Sequence, residues 1–534
     1  MTDVLLPVAI AVPIVAATLP IALGLWYEDV GWPIAAVATT VLVGFAGAIG
    51  AEVALGGRFS HALGTYQPPV GIELVADELS AAVLVLVATV SLAVLAFSRV
   101  AGPRGNPFYS GYLLLVGGLT GLVLTGDLFN LFVFLEIVGI TTYALIAADR
   151  SGASAYASLK YLVLGTVGAS LYLIGVGYVF LATGTLNMLD VQAQIVEQAG
   201  YADPLVQASY AFIVAGLALK IALFPVHVWQ PDAYQRAPDA VTALMAALVS
   251  TTSAYALIRV SYTVFTVDFL AANDAITTAL LVVAGASILS GSALAAMQSD
   301  LKRMFAYSSV AQFGMIAGAV GLANETALLG GMVHLIGHGL LKFGLFLGVG
   351  MLSLGYGARR IEDLASVARE APYTAGAIAV LGLALVGIPP SIGFLGKWYI
   401  GVGAVESSLT GGGAAGVGIA VVIFVSTLFT LAYVARLIER FYFAGVGLPG
   451  GHGDDASDPA VTDGGHGGAS EASEADAGPV SPVEDAPRSS WVPDRVPPAS
   501  LALLVLTALT AVALGFGGFA LAEWFDPYLT EVFA

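Results

Sequence analysis

Glu136, Lys220, Lys342 and Lys397 each lie well inside a segment apolar enough to cross a bilayer. A charge near the hydrocarbon centre costs at least ~2.5–3.5 kcal/mol on insertion scales, so such groups are rare and usually line an ion or proton path. His334 and His338 precede Lys342 at four-residue spacing, which keeps all three within about 80° on one helix face. Carboxylate, ammonium and imidazole groups so placed suit one chemistry above others, the holding and passing of protons. A transporter is the expected class.

Glu136 sits in GDLFNLFVFLEIVGITTYALIA, some eight residues and so roughly 12 Å into its helix. It needs a cation or a hydrogen-bond donor, and a purely structural ion pair is the plainer alternative. Asp127 at the entrance reads as a cap or an interfacial residue. Lys220 lies midway along AGLALKIALFPVHVWQPDAYQRAP, where Pro225 disfavours a continuous helix. Transporters place ion sites at such midplane breaks, and making or breaking a Glu136–Lys220 pair would capture or release a proton. His227 is either a relay group or a polar residue at the helix end.

His334, His338 and Lys342 in GGMVHLIGHGLLKFGLFLGVG read as a relay in preference to packing histidines. A metal site is the third reading, but no acidic or thiolate ligand accompanies the pair in sequence, so none is assigned. Gly330, Gly331, Gly337 and Gly339 allow close helix approach or irregular backbone. Lys397 follows a second break in GLALVGIPPSIGFLGKWYI, and the stretch 371–407 is too long for one straight span. Two half-helices fit better there. Both interrupted segments contain GLAL, at 216–219 and 382–385, and they start on opposite sides, as an inverted repeat requires.

The elements that must position these groups are membrane helices. The 534 residues are 58% hydrophobic and 10% charged, where a soluble protein has about 25% charged. Uncharged runs at 4–27, 30–51, 81–98, 105–126, 161–189, 275–299, 304–324, 407–435 and 496–522 approach or exceed the ~20 residues that a span needs. Adding the runs around Glu136, Lys220, Arg259, Lys342 and Lys397 gives about fourteen transmembrane helices in an all-α, polytopic membrane protein. No room is left for a soluble catalytic domain. The first run lacks a basic n-region and exceeds an ordinary signal core, so it reads as a first span. With no cysteine, thiolate iron–sulfur ligation and c-type haem attachment are excluded, and no redox cofactor is expected.

Basic residues choose the orientation. Arg99, Arg104, Arg150, Lys160, Arg236, Lys302, Arg303, Arg359, Arg360, Arg369, Arg436, Arg440, Arg488 and Arg495 fall at alternate loops, against Arg58 and Arg259 on the other side. Both termini are expected outside a plasma membrane and the stretch 445–490 inside. That stretch has nine Asp or Glu against one Arg and too little apolar content for a core, so it reads as a disordered insert. A halophilic source would account for its acidity.

These residues resemble the antiporter-like membrane subunits shared by respiratory complex I and Mrp-type cation/proton antiporters. The resemblance covers the whole length and rests on DLFNLFVFLEI (127–137), LKIALFPVHVWQPDAY (219–234), LKRMFAYSSVAQFGMI (301–316), HLIGHGLLKFGLFLGVG and GIPPSIGFLGKW. Within the family the chain most resembles the Mrp D subunit, through Lys rather than Glu at 397 and the His334, His338 and Lys342 set. The resemblance implies Glu136 and Lys220 as a charge-switching pair, His338 and Lys342 as a middle relay, and Lys397 as the exit. One position departs, because the Lys usual in the eighth helix is replaced by Thr251, within Ser250, Thr251, Thr252 and Ser253. Hydroxyls hold ordered water but do not store a proton, so Ser250 and Thr251 are read as water-holding links.

The expected organisation is three N-terminal helices (1–104), two inverted five-helix repeats with broken helices (105–267 and 275–443), the insert (445–490) and a last helix (496–523). The expected function is proton conduction in a Na⁺/H⁺ antiporter, alongside other membrane subunits and with no nucleic-acid partner. A proton-pumping subunit of a complex I-like oxidoreductase or membrane hydrogenase is the alternative. A quinone-binding redox enzyme and a structural scaffold fit less well.

Overall fold

The computed structural model describes residues 2–365, 367–409, 413–444 and 496–534. The acidic insert, with its expected disorder and cytoplasmic placement, lies outside the described residues. Twelve helices among the described residues are long and apolar enough to cross a membrane. In chain order these begin with α1 (Leu5–Leu23) and α2 (Gly31–Gly56), followed by a hairpin of β1 (Phe59–Ala62) and β2 (Glu73–Ala76). Next come α3 (Glu78–Ala101), α4 (Asn106–Leu124), α5 (Leu128–Asp149) and α6 (Gly152–Thr183). The first interrupted segment is α7 (Pro204–Lys220) and α8 (Gln230–Arg236). Then α9 (Asp239–Val264), α10 (Asp274–Ala296), α11 (Leu301–Gly321) and α12 (Glu325–Tyr356) cross. The second interrupted segment, α13 (Pro372–Val386) and α14 (Ile392–Leu409), precedes α15 (Ala414–Tyr442) and α16 (Pro498–Phe516), and α17 (Gly518–Phe533) ends the chain. The α7 and α13 helices are too short to span alone.

Two features differ from the sequence reading. The connection after α2 contains a short antiparallel hairpin, pairing Phe59 with Ala76 and Ala62 with Glu73, in a fold otherwise built of helices. The expected last helix, 496–523, is two helices: α16 ends at Phe516 and α17 begins at Gly518. Gly515, Gly517 and Gly518 weaken the helix at that point. The α17 helix turns back onto the start of α3, where Trp524 Nε1 donates to the Glu78 carbonyl at 2.9 Å.

Helix starts are set by short polar side chains that accept the unpaired first-turn N–H groups. Asp77 and Ser80 form a capping box at α3, Asp127 accepts from Asn130 N at 2.7 Å, and Asp300 and Asn324 do the same for α11 and α12. Asp127 is thus the cap that its position suggested. In each half the interrupted segment packs on the 32-residue helix before it, α7 on α6 and α13 and α14 on α12. Enclosure grades inward: the hydrophobic window of α9 is 100% buried, against 33% for α2, α15 and α16. The most enclosed helices, α9, α11 and α12, carry the middle of the site.

Candidate functional site

Lys220 is the last residue of α7. Beyond it the chain leaves helical geometry, with Ala222 at a positive φ, and resumes in a 3₁₀ turn at Val226–Trp229. The break expected from Pro225 is therefore present. Its exposed backbone groups are met by neighbours: Phe224 N donates to Ser287 Oγ of α10 at 2.7 Å, and Trp229 Nε1 donates to the Leu219 carbonyl at 2.9 Å. Lys220 is buried, and its Nζ donates to Glu136 Oε1 of α5 at 3.3 Å. Glu136 itself is half-buried. Helix geometry explains the partner: Gly139, one turn along α5, leaves the space into which Lys220 Nζ extends, and a Cβ there would lie 3.3 Å from it.

A polar bridge crosses the position where a charge is missing. In α8, Gln230 Nε2 donates to Tyr234 Oη at 3.0 Å and reaches Ser250 Oγ at 3.5 Å, while Tyr234 and Ser250 hydroxyls lie 3.4 Å apart. Thr251 Oγ1 then lies 3.5 Å from His338 Nδ1. Ser250 follows a π-helical turn at Met245–Val249, and Arg259 precedes another at Val260–Val264. A π turn rotates the residues after it relative to a regular helix and is frequent at functional sites. Here it sits against α12 where Gly339 permits contact, since a Cβ at Gly339 would lie 2.9 Å from the Ala247 carbonyl. Gln230 and Tyr234 were missed in the sequence because nothing there links them to α9.

Along α12 the three groups have different surroundings. His338 packs on the Phe313 ring at 4.4 Å. Lys342 Nζ donates to the Phe305 carbonyl at 2.8 Å and to Ser308 Oγ, both on α11, and faces the Phe305 ring. His334 faces α14, since a Cβ at Gly396 would come 2.8 Å from its Nδ1, so it lies beside the residue preceding Lys397. Lys397 Nζ donates to the carbonyls of Leu385 and Val386, both at 2.9 Å. These close α13, where unpaired carbonyls give a half-helix its negative end. A helix terminus thus takes the place that a carboxylate holds at Lys220. His227, buried, stacks on Phe224 and faces Tyr307.

Among the described residues, several buried polar atoms here have no protein hydrogen-bond partner: both His334 nitrogens, His338 Nε2 and both amide atoms of Gln312; His227 and the Tyr143 hydroxyl make only loose contacts, to the Pro225 backbone and the Thr166 side chain. Buried polar groups are normally paired with protein or ordered water, so unpartnered imidazoles on α12 and an unpartnered amide on α11 suit hydration of this part of the site. Among the described residues no three His, Cys, Asp or Glu side chains gather as a metal site.

Two charge clusters stand toward the two ends of α9. At one end, Arg259 Nη1 and Nη2 donate to Asp77 at 2.5 and 2.7 Å, and Arg259 Nε donates to the Tyr255 hydroxyl at 3.2 Å. Burial alone would raise the Asp77 carboxyl, but the guanidinium beside it holds it down at about 2. At the other end Asp232 of α8 joins Lys160 of α6 at 2.6 Å and Arg303 of α11 at 2.7 Å, and Lys302 pairs with Asp239 at 2.7 Å.

Comparison with known proteins agrees with this architecture. Residues 125–427 match the family model described as NADH:quinone oxidoreductase/Mrp antiporter, TM. The NADH-quinone oxidoreductase subunit N of Desulforudis audaxviator is 40% identical over 432 residues, 80% of this chain and 84% of that protein. The D subunit of the Na(+)/H(+) antiporter of Alkalihalophilus pseudofirmus is 32% identical over 343 residues, 63% and 68% of the two chains. A chain of the Mrp complex from Dietzia sp. superposes with a TM-score of 0.80 at 26% identity, covering 100% of this chain and 99% of that one. Interrupted helices carrying buried lysines, a family match over more than half the chain and this whole-length superposition agree: the chain belongs to the membrane-subunit family shared by NADH:quinone oxidoreductases and Mrp antiporters.

Proposed function

We propose that the chain is a proton-conducting membrane subunit of a multisubunit Na⁺/H⁺ antiporter of the Mrp type. Protons move along Glu136, Lys220, His334, His338, Lys342 and Lys397, with Ser250, Thr251 and His227 as relay or water-holding groups. The observation that carries this reading is the Glu136–Lys220 contact at the end of a broken helix. Protonating the carboxylate removes the charge that holds the ammonium group. A buried charge left uncompensated is costly, so onward loss of the lysine proton becomes the favoured outcome. Gln230, Tyr234, Ser250 and Thr251 then supply hydrogen-bonding groups between Lys220 and His338.

In this reading the two interrupted segments belong to inverted five-helix repeats, each with its own lysine. Both termini lie outside the plasma membrane, and other membrane subunits complete the complex. The superposition on the Mrp chain fits the antiporter, and a chain of an archaeal membrane-bound sulfane sulfur reductase superposes as well, with a TM-score of 0.82, so the fold alone does not separate the two readings. A second reading is a proton-pumping subunit of a redox-driven complex, and the 40% identity to an NADH-quinone oxidoreductase subunit N favours it. Genes for small Mrp subunits beside this one favour the first reading, and genes for quinone-reductase or hydrogenase subunits the second. The relay itself is tested in everted vesicles carrying the assembled complex with Glu136→Ala, Lys220→Ala and Lys397→Ala. Each is expected to abolish most proton transport, and full transport by all three would contradict the relay.

A further inference from the structure

The Tyr143 hydroxyl is a polar group beside Lys220 that the relay above does not use. Tyr143 lies on α5, two turns beyond Glu136, toward the loop that carries Arg150. Its hydroxyl is buried and its hydrogen-bonding contact is to the Thr166 side chain of α6, and a hydroxyl has two lone pairs, so it can still accept from a second donor. Glycines surround it. A Cβ at Gly139 would lie 3.0 Å from Tyr143 Oη and 3.3 Å from Lys220 Nζ, and one at Gly165 of α6 would overlap the hydroxyl. Hydroxyl and ammonium therefore border the same side-chain-sized space beside Gly139.

The ring that carries this hydroxyl is fixed. Tyr143 meets Tyr161 edge-to-face at 4.8 Å, Tyr161 stacks on Trp229 at 4.3 Å, and Trp229 caps the Leu219 carbonyl next to Lys220. Ser158 Oγ also donates to the Tyr143 carbonyl at 2.7 Å. The hydroxyl is thus held by its packed ring near the end of α7, while lysine carries its charge on a stem of rotatable bonds.

We propose that the Tyr143 hydroxyl is the second resting place of the Lys220 ammonium group, accepting a hydrogen bond from it once Glu136 is protonated. Tyr143 is a positioning residue: it gives the displaced ammonium a defined partner on the side of Lys160 and Asp232, so that Lys220 alternates between two fixed acceptors. This inference rests on Glu136 and Lys220 forming the relay pair.

The test is proton transport by Tyr143→Phe in the assembled complex in everted vesicles, with the apparent cation KM and the amount of assembled complex measured together. Phe keeps the ring and removes only the hydroxyl. The expected result is a roughly tenfold slower transport rate, the scale of a lost hydrogen bond to a charged group, with unchanged KM and normal assembly. Gly165→Ala, which pushes on the hydroxyl, is expected to slow transport as well. Normal rates in Tyr143→Phe overturn the proposal, and so does a loss matched by lost assembly, which would mean packing alone. Glu136→Ala and Lys220→Ala measured in parallel separate the two levels: if both transport normally the pair itself fails, whatever Tyr143→Phe does.

Discussion

Arg259 and Asp77 form a two-pronged, buried ion pair that ties the end of α9 to the first turn of α3. Its acid also caps α3, so one carboxylate serves two helices. Removing one partner of a buried pair strands the other, a loss on the order of 3–5 kcal/mol, whereas replacing both by apolar groups is often neutral. Asp77→Ala is therefore expected to lower the melting temperature in detergent sharply, and Asp77→Ala with Arg259→Met to recover part of that loss. Failure of the double variant to recover anything would leave the cap as the carboxylate's main contribution.

The same pair sets an acid limit. The Asp77 carboxyl is held at about 2 in the folded chain against an ordinary value of 3.8. A carboxyl depressed by folding stabilises the protein at pH above its unfolded value, and that contribution disappears as pH falls through the folded one. Stability should decline between about pH 4 and about pH 2, and Asp77→Asn should flatten that part of the profile. Thermal melts at stepped pH measure both.

Lys397 is held by backbone carbonyls at the end of α13. Lys397→Met keeps much of the length and removes the donor, so it strands two carbonyls and deletes the charge. We expect proton transport to fall at least tenfold, as for other lost charge-assisted hydrogen bonds. Lys397→Arg keeps a donor and should retain more transport than Met. Equal losses in both would show that the position needs a proton it can release, which Arg cannot supply.

Gly396 is where α14 meets His334. A Cβ there would lie 2.7 Å from His334 Cβ and 2.8 Å from its Cα, so Gly396→Ala must push α14 off α12. Overpacking of this kind costs about 1–3 kcal/mol, and it would displace Lys397 from the relay helix. Lower thermal stability together with slower transport is expected, and an unchanged melting temperature would show that the interface yields freely.

Charges in apolar runs stand out in one dimension, because little else places Lys in a membrane helix; Glu136, Lys220, Lys342 and Lys397 were legible for that reason. The breaks were legible too, since Pro225, Pro389 and Pro390 disrupt a helix wherever it packs. Partners were not. Ser308, which accepts a hydrogen bond from Lys342, looks like any small polar residue of a helix, and Asp77 looks like a loop acid until α9 brings Arg259 to it. The hairpin was hidden because Phe59–Ala62 and Glu73–Ala76 pair across a loop with no strong alternation. The π turn at Met245–Val249 leaves no sequence mark, although it rotates Ser250 and Thr251, which follow it.

Thr251 tests how the proposed relay crosses α9. Its hydroxyl lies 3.5 Å from His338 Nδ1, and its side chain is fully buried. Thr251→Val keeps the shape and removes the hydroxyl, so it should slow proton transport about tenfold if that group passes protons or orders water, the scale of one lost hydrogen bond at a buried site, with assembly intact. Thr251→Lys adds a buried ammonium near His338, into space now filled by packed helices. Unimpaired or faster transport in Thr251→Lys would place position 251 on the path and show that it tolerates a charge. Collapse of Thr251→Lys with normal Thr251→Val would make the position a packing contact, and the step from Lys220 to His338 would then pass through Gln230, Tyr234 and Ser250 alone.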